Sequence, residues 1–522
     1  MLSKILEDNQ QYVPALSAVA ASMLAFMALR TWSAKSAEQQ AFEAIPIPNG
    51  CFPYIGHTPS FTKLPSLVFN DWRQQVGPIF RVRMGVQTWV VLSDPVMLHE
   101  LLSSKGAQTS GRIKTRFSHD YYSLGGKGIV FAPSGKSWKN NRTAVLSVLA
   151  PNVLSKFSHI RQKEADELIQ NLIQKTKEQG SVNPRVPVLR AGLNFILATC
   201  FATRCPSDDD PLFKRMVADG DDGFELAGIH NDLGTFFPIL SIIDFVLRRE
   251  RKFRKFIETR RNPMSRMLIQ DAVKSDQDSL FKRLYAMKEE YGMDDDDLLV
   301  ISTDLLGGGS DTISGTLSWM FAVLLHHQDV QEKLCIEVDT FIKEHNRLPE
   351  FTDREAMPYL IAVQKECMRY RPVTHLALHS AEEDVTFRQY FIPKGTAIIG
   401  NTFAMHHDSK LYENPDKFIP ERFLKNTNTM LACANGKVEN RDHFVFGWGR
   451  RICPGIHLAE VEQFEICVRL FAKCKIEPCF DAQGKPILPD LDDMRDGGLV
   501  VNIGPYTARF VSRNDNVLHL IR

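Results

Sequence analysis

The residues with the clearest capacity for chemistry lie in one segment near the C-terminus, Phe446-Gly447-Trp448-Gly449-Arg450-Arg451-Ile452-Cys453-Pro454-Gly455. Glycines before Cys453 permit a tight turn, and Pro454 suits the first position of the amphipathic helix predicted for Ile456 to Lys473. A cysteine at a helix N-terminus is favoured as the thiolate, and nearby backbone N–H groups can hydrogen-bond its sulfur. An isolated cysteine is usually an inert core residue, but this setting predicts a thiolate that binds a metal.

A second segment, Gly307-Gly308-Gly309-Ser310-Asp311-Thr312, lies within a helical pattern that begins after the acidic run Asp294 to Asp297 and continues through Val330. Each glycine in a helix interior costs about 1 kcal/mol relative to alanine, so three in succession require a reason. A phosphate-binding loop is the alternative, but the segment lacks a Gly-Lys-Ser/Thr ending and a preceding strand. Acidic residues at a helix N-terminus are favoured by the helix dipole, so a long helix starting at the acidic run is predicted.

Two weaker patterns accompany these segments. Glu366 and Arg369 are three residues apart on a predicted helix that ends at Pro372, which places the acid and the base on one face. Trp138 and Arg142 have the spacing of one helical turn. Each pattern alone is commonplace on a helix surface, so neither identifies a site by itself.

Together these segments resemble the cytochrome P-450 family. Its signature F-x-x-G-x-R-x-C-x-G is matched at Phe446, Gly449, Arg451, Cys453 and Gly455. The glycine cluster resembles the family's (A/G)-G-x-(D/E)-T, Glu366 to Arg369 resembles its E-x-x-R, and Phe418 to Phe423 contains P-E-R-F. The segments also occur in the family's order, and eukaryotic, fungal microsomal members resemble this chain most.

The resemblance implies a cofactor, a b-type haem (iron protoporphyrin IX) whose iron is bound by the Cys453 thiolate. It implies that Arg451 binds a haem propionate. Further cofactor-binding roles are implied for Phe446, Trp138, Arg142 and His379.

Catalytic roles in proton delivery are implied for Asp311 and Thr312, on a helix that passes over the haem and leaves room for dioxygen. Ile313 departs from the hydroxyl residue that the family often has next. Glu366, Arg369 and Arg422 are implied to form a buried charge network that braces the haem loop.

The elements that must position these residues are mostly helical. Apolar residues recur at three and four positions from about 138 to 370, a hairpin is predicted around Gly85 within residues 78–95, and short strand-like runs return at 384–400 and near the C-terminus. The predicted fold class is therefore mainly α with minor β, resembling the cytochrome P-450 fold, preceded by a single N-terminal transmembrane helix.

Composition excludes several other classes of protein. The 522 residues are 44% hydrophobic, which suits a large core and argues against a disordered chain. The net charge of +1, from 63 basic and 62 acidic residues, gives no reason to expect a nucleic-acid partner. The ten cysteines include no C-x-x-C pair, which argues against a disulfide scaffold and a zinc ribbon.

The N-terminus carries an uncharged run of 18 residues, Tyr12 to Leu29, close to the roughly 17 to 25 that cross a bilayer as a helix. A cleaved signal peptide is the alternative. Arg30 and Lys35 follow the run, which predicts a single pass through the endoplasmic reticulum membrane with the remaining chain facing the cytosol. The predicted division is an anchor at 1–32, a linker and proline-rich hinge at 33–56, and a catalytic domain at 57–522.

The function implied by the resemblance is a haem-thiolate monooxygenase that inserts one oxygen atom from dioxygen into a lipophilic small molecule: a steroid, terpenoid, fatty acid or xenobiotic. Electrons would come from NADPH through NADPH–cytochrome P-450 reductase, with cytochrome b5 as a further candidate partner. Substrate contacts are predicted from segments at 106–131, 210–247, Ile301 to Thr312, Val373 to Leu378 and Leu499 to Val501. Two alternatives stay open, a haem-thiolate isomerase or dehydratase and a non-catalytic haem-binding membrane protein.

Overall fold

The computed structural model describes residues 36–228, 231–515 and 517–521. The glycine cluster lies within one long helix, Asp295–His326. The predicted start of this helix at the acidic run is confirmed. The Asp294 side chain accepts a hydrogen bond from the Asp297 backbone N–H, and the Asp297 side chain accepts one from the Asp294 backbone N–H. Most residues of this helix between Leu298 and Leu325 are buried. The prediction that it continues through Val330 was wrong, because the helix ends at His326 and a separate one begins at Gln328.

The α-helices, in chain order, are α1 (Ala37–Glu43), α2 (Pro65–Val76), α3 (Pro95–His99), α4 (Gly106–Thr109), α5 (Lys136–Val148), α6 (Pro151–Leu154), α7 (Ser158–Gln179), α8 (Arg185–Phe201), α9 (Pro211–Ala227), α10 (Leu233–Phe236), α11 (Ser241–Val246), α12 (Arg249–Phe256), α13 (Asn262–Lys274), α14 (Leu280–Ala286), α15 (Asp295–His326), α16 (Gln328–His345), α17 (Pro358–Tyr370), α18 (Thr402–His406), α19 (Met430–Asn435) and α20 (Ile456–Lys473). Wider π-type turns lie at Glu100–Ser104, Arg116–Tyr122 and Ile257–Arg261.

The strands are β1 (Ile79–Met84), β2 (Gln87–Leu92), β3 (Leu376–Ser380), β4 (Val385–Phe387), β5 (Tyr390–Ile392), β6 (Ala397–Asn401), β7 (Cys474–Glu477), β8 (Cys479–Phe480), β9 (Pro486–Ile487), β10 (Met494–Gly497), β11 (Val500–Ile503) and β12 (Arg509–Ser512). The mainly α class with a minor β part is therefore confirmed.

A four-stranded sheet has the order β1-β2-β6-β3. Strands β1 and β2 form the predicted antiparallel hairpin, β2 runs parallel to β6, and β6 pairs antiparallel with β3, where His379 lies opposite Ile398. Gly85 turns the hairpin with φ of +61°, and a Cβ there would lie 1.9 Å from the carbonyl oxygen of Phe236. Only glycine fits this turn.

The glycines of α15 have two different surroundings. A Cβ at Gly309 would lie 2.2 Å from Cδ1 of Ile196 on α8, and a Cβ at Gly192 of α8 would lie 2.9 Å from the carbonyl oxygen of Ser310. Small residues therefore allow α8 and α15 to cross closely. At Gly307 and Gly308 a Cβ would meet no atom outside the helix within 4 Å, so these two glycines border open space.

The proline-rich segment lies against the four-stranded sheet. The Arg81 backbone N–H donates to the carbonyl oxygen of Pro46 at 2.7 Å, the Arg81 side chain donates to Glu43 and Ile45, and Ile45 is buried. The predicted domain boundary after residue 56 stays a prediction. Among the helices of the described ranges, none combines the length and apolar character needed to span a membrane. The predicted anchor at Tyr12 to Leu29 lies outside the described residues.

Candidate active site

The loop that carries Cys453 is held by its own backbone. The Cys453 N–H donates to the carbonyl oxygen of Phe446 at 2.8 Å, which closes the loop. Gly449 has φ of +54°, and a Cβ there would lie 2.0 Å from the carbonyl oxygen of Leu102, so the loop packs directly on the turn Glu100–Ser104. The helix predicted for Ile456 to Lys473 is confirmed as α20, but Pro454 is not its first residue, because Pro454 and Gly455 form a turn before it.

The surroundings of the Cys453 thiol act in opposite directions on its acidity. Burial raises the pKa of this thiol, whereas the Gly455 backbone N–H, which donates to the sulfur, and the nearby Arg142 cation lower the same pKa; the net shift is upward. The expectation that position alone favours the thiolate therefore does not hold. A metal ion at the sulfur would reverse the balance, because a coordinating thiol loses its proton.

Two of the predicted cofactor-binding arginines lie over one indole ring. The guanidinium carbons of Arg451 and Arg142 are 4.0 and 5.8 Å from the centroid of the Trp138 ring. Arg451 donates to the carbonyl oxygens of Ser110, Ile129 and Ala132 at 2.9, 3.0 and 2.5 Å, and Arg142 donates to that of Ile452. The structure thus brings Arg451, Arg142 and Trp138 together beside Cys453.

A third guanidinium, that of Arg112, joins this group, and the sequence interpretation missed it. Arg112 donates to the carbonyl oxygens of Val130 and Leu378. Burial, with repulsion from Arg112 and Arg142, lowers the pKa of Arg451 to about 8, and burial with repulsion from Arg142 lowers the pKa of Arg112 to about 10. Within the described ranges none of the three guanidiniums forms an ion pair with a carboxylate. The carboxylates of Glu382 and Asp304 offset part of the repulsion at Arg451 from farther away, so the cluster holds an excess of positive charge that is largely removed from water.

Two uncharged side chains, those of His379 and Trp138, lie next to the arginine cluster. Nδ1 of His379 lies 3.0 Å from the carbonyl oxygen of Thr109, and burial together with the Arg112 and Arg451 cations lowers the pKa of His379 to about 3. His379 is therefore neutral at physiological pH. The Trp138 indole N–H donates to the carbonyl oxygen of Ile129 at 3.1 Å, which fixes the ring beneath Arg451.

Asp311 and Thr312 lie on α15, beside the two glycines that border open space. The Thr312 hydroxyl donates to the carbonyl oxygen of Gly308 at 2.8 Å. Burial, with the Asp221 carboxylate as a second cause, raises the pKa of Asp311 to about 6, while Arg185 opposes the shift. Asp311 can therefore take up and release a proton near neutral pH.

The predicted charge network around Glu366 is present. Arg369 donates to both Glu366 carboxylate oxygens at 2.8 and 2.7 Å, with both side chains fully buried, and Nε of Arg422 lies 3.0 Å from the same carboxylate. Arg369 also donates to the carbonyl oxygens of His406, Pro415 and Lys417. The network therefore ties α17 to the segment at 415–419.

Asp304 is a second residue that the sequence interpretation missed. Its buried carboxylate accepts hydrogen bonds from the backbone N–H groups of Ile129 and Val130, at 2.7 and 3.1 Å, and from the Tyr122 hydroxyl at 3.2 Å. Burial raises the pKa of Asp304 to about 6. Asp304 thus attaches the loop at Ile129 and Val130 to α15. The carbonyl oxygens of the same loop accept hydrogen bonds from Arg112 and Arg451. The available signal was a lone acid in an otherwise apolar stretch of α15, eight residues before Thr312.

Comparison with known proteins agrees with this geometry. The cytochrome P-450 family model matches residues 46–509. Cytochrome P-450 monooxygenase 58 of the fungus Postia placenta is 29% identical, over 91% of this chain and 90% of that protein. The steroid 17-alpha-hydroxylase/17,20 lyase of Bison bison is 28% identical, over 85% of this chain and 87% of its own length.

Solved structures are similar as well. A zebra fish cytochrome P-450 structure with progesterone has a TM-score of 0.72 and 28% sequence identity, covering 86% of this chain and all of that one. The family match spans most of the chain and includes the Cys453 loop, the arginine cluster and the glycine-containing helix. The chain therefore belongs to the cytochrome P-450 family of monooxygenases.

Proposed function

We propose that this protein is a haem-thiolate monooxygenase that transfers one atom of dioxygen to a lipophilic small molecule, with electrons from NADPH delivered by a reductase. The observation that carries the proposal is the cluster of Arg112, Arg142 and Arg451 beside Cys453. Largely buried cations that form no ion pair are stabilised when an anionic ligand binds beside them. A haem brings two propionates for the arginines and an iron for the sulfur.

The residues that would hold the haem fall into three groups: a ligand for the iron, partners for the propionates, and aromatic residues that support them. Cys453 would bind the haem iron through its sulfur, and the three arginines would pair with the propionates, near the neutral His379. Trp138 supports two of the guanidiniums with its ring face, and Phe446 closes the ligand loop through its carbonyl group. When bound, the haem supplies activation of dioxygen, which the thiolate ligand favours.

Thr312 and Asp311 are proposed to manage protons at the dioxygen site. Because the Thr312 hydroxyl donates to Gly308, its oxygen lone pairs are left to accept a hydrogen bond from water. Asp311 exchanges protons near neutral pH because burial raises its pKa to about 6. Gly307 and Gly308 leave room beside them. A proton relay of this kind serves oxygen activation and has less use in an isomerase or dehydratase.

The proposed substrate is a lipophile of the steroid, terpenoid, fatty acid or xenobiotic classes. The segments expected to contact it contribute apolar side chains, including Ile301, Leu305, Val373 and Val501. A relative named as a steroid hydroxylase and the zebra fish structure with progesterone add support for a steroid-sized molecule. Apolar walls favour such ligands because binding removes their surface from water.

NADPH–cytochrome P-450 reductase is the proposed electron donor, with cytochrome b5 as a further partner. Lys136, Lys139 and Arg450 are exposed near the Cys453 loop and would attract an acidic partner surface. The proposed location is the endoplasmic reticulum membrane, with Tyr12 to Leu29 as a single-pass anchor and the catalytic domain, residues 57–522, in the cytosol. The uncharged run and the basic residues after it support this topology.

The test of this function begins with a screen of lipophiles for those that shift the spin state of the ferric haem. Each compound that does so is then incubated with the enzyme, and product is measured with NADPH, reductase or dioxygen omitted in turn. We expect an oxygenated product that requires all three. Product formed without NADPH would indicate the isomerase or dehydratase alternative, and absence of any product would indicate a non-catalytic haem protein.

A further inference from the structure

Lys365 of α17 is fully buried, and its ammonium group is held by three oxygen atoms. It donates hydrogen bonds to the carbonyl oxygens of Asn426 and Asn428 at 2.7 and 2.9 Å. The third partner is the carboxylate of Asp442, which is also buried and lies 3.0 Å away. An ammonium group has three N–H donors, so these oxygens can satisfy all of them. Lysine is almost never fully buried unless it is paired, so this arrangement requires an explanation.

Asp442 lies at the start of the segment that leads to the Cys453 loop. The ring of Phe444 stacks on that of Trp448, with centroids 5.2 Å apart and planes 11° from parallel. Between these two residues in the chain lies Phe446, whose carbonyl oxygen accepts the hydrogen bond from the Cys453 N–H. Only a short stretch of constrained backbone therefore joins Asp442 to the group that holds Cys453, so a displacement of Asp442 should also move Cys453.

The other two partners of Lys365 lie just before α19, which packs near the same cysteine. Met430 of α19 belongs to one apolar cluster with Phe446 and Cys453. The Met430 N–H also donates to the Glu460 carboxylate of α20 at 3.0 Å. Lys365 therefore holds two separate segments that both contribute to the apolar surroundings of Cys453.

This arrangement is separate from the neighbouring network of Glu366. The Glu366 carboxylate accepts a hydrogen bond from the Ile419 N–H at 2.8 Å, whereas the partners of Lys365 lie at 426–428 and at Asp442. A buried ion pair adds little net stability compared with apolar residues of similar volume, because both charges lose their contact with water. Its directed hydrogen bonds still fix the relative positions of the groups that they join. Positioning therefore explains a buried ammonium here better than stability does.

We propose that Lys365 is a positioning residue for the haem thiolate, and that its ammonium group fixes Asp442 and the backbone at 426–428 so that Cys453 stays in place as the ligand of the iron. Lys365 acts through the segment from Asp442 to Phe446 and through α19. A displaced loop would weaken the hydrogen bond from the Gly455 N–H to the sulfur and the contact of the sulfur with the iron, and both interactions favour the thiolate. The inference rests on the proposed function.

The test uses the full chain loaded with haem and compares two variants at equal haem content. Lys365→Met leaves the Asp442 carboxylate buried without its cation, whereas Lys365→Met combined with Asp442→Leu removes both charges. We expect the double variant to unfold at a higher temperature than the single variant, because it contains no unpaired buried charge. In the reduced complex with carbon monoxide, the ratio of thiol-type to thiolate-type absorption should nevertheless rise about tenfold over wild type in both variants, as expected for the loss of one charged hydrogen bond.

The matched control removes another largely buried ion pair, that of Arg190 with Asp208 at 2.6 Å. Arg190→Met combined with Asp208→Leu makes the same change of charge and of side-chain type away from the Cys453 loop. We expect this control to have the wild-type spectrum, because neither residue holds a segment next to Cys453.

Each other result would overturn the positioning role of Lys365. A double variant that binds haem and has the wild-type spectrum would show that the Lys365 pair does not position the sulfur. An equal spectral change in the control would show a general loosening of the fold. If neither Lys365 variant binds haem, Lys365 is required for folding and not for positioning. A wild-type protein without thiolate-type absorption would contradict the proposed function together with this inference, whereas the other results leave the proposed function standing.

Discussion

A buried arginine needs hydrogen-bond partners within the fold to replace the water that it loses. The partners that Arg451 finds are all backbone carbonyl oxygens, which carry no net charge. Its guanidinium also faces repulsion from Arg112 and Arg142. Such an arrangement costs free energy unless an anion binds. At the scale of single residues, this cost supports the proposal that the cluster binds a ligand with negative charge, and we expect each arginine to contribute to holding the cofactor.

Arg112 provides a direct test, because no motif in the sequence pointed to it. Arg112→Gln removes one charged partner of the cofactor and should weaken haem retention roughly 10- to 100-fold, which corresponds to the loss of a charged hydrogen bond. Haem dissociation to an acceptor protein measures this. Arg112→Lys should restore part of the affinity. The control is Arg190→Gln, at a buried arginine paired with Asp208, which should leave haem dissociation unchanged. Equal effects at positions 112 and 190 would mean that Arg112 has only a structural role.

Thr312 provides the corresponding test of proton delivery. Thr312→Ala removes the hydroxyl that is proposed to hold a water, yet its only hydrogen bond in the described structure is to the carbonyl oxygen of Gly308, so folding and haem content should be preserved. Product formed per NADPH consumed should fall about tenfold, with hydrogen peroxide released instead. Thr312→Ser, which retains the hydroxyl, is the control. An unchanged ratio in the alanine variant would show that another group delivers the proton.

At the scale of elements, the glycines of α15 have two separate roles. Gly309 allows the close crossing with α8, whereas Gly307 borders open space. Gly309→Ala would place a methyl group 2.2 Å from Ile196, and overpacking of this kind costs about 1–3 kcal/mol. Gly307→Ala meets no neighbouring atom and should stabilise the helix by about 0.5–1 kcal/mol. Thermal unfolding of the two variants should therefore shift in opposite directions. Equal stability of the two would contradict the close crossing of α8 and α15.

The sequence predicted the elements whose determinants are local. The acidic run marks the start of α15 because helix capping involves only neighbouring residues, and the hairpin at Gly85 depends on one turn. The Cys453 loop was predicted because all residues of its signature motif lie within one short segment, Phe446 to Gly455. The parallel pairing of β2 with β6 was not predicted, since its partners are about 300 residues apart. Arg112 and Asp304 were missed for the same reason, because their partners come from distant segments.

At the scale of the whole molecule, the proposed membrane attachment depends on the predicted anchor, the uncharged run Tyr12 to Leu29. Deleting residues 1–32 should leave haem binding intact and release most of the protein from phosphatidylcholine vesicles. Co-sedimentation of the deleted and the full-length protein with these vesicles measures the bound fraction of each. Full retention on phosphatidylcholine after the deletion would contradict the role of residues 12–29 as the anchor.

The central claim is that Cys453 is the thiolate ligand of a haem, and the spectrum of the reduced protein with carbon monoxide tests it most directly. We predict that Cys453→Ala abolishes the thiolate-type spectrum, whereas Cys433→Ala and Cys479→Ala, at a buried and a half-buried cysteine, retain it. Loss of the spectrum in Cys453→Ala alone would identify the ligand. A thiolate-type spectrum that persists in Cys453→Ala would contradict the assignment and, with it, the account of the active site.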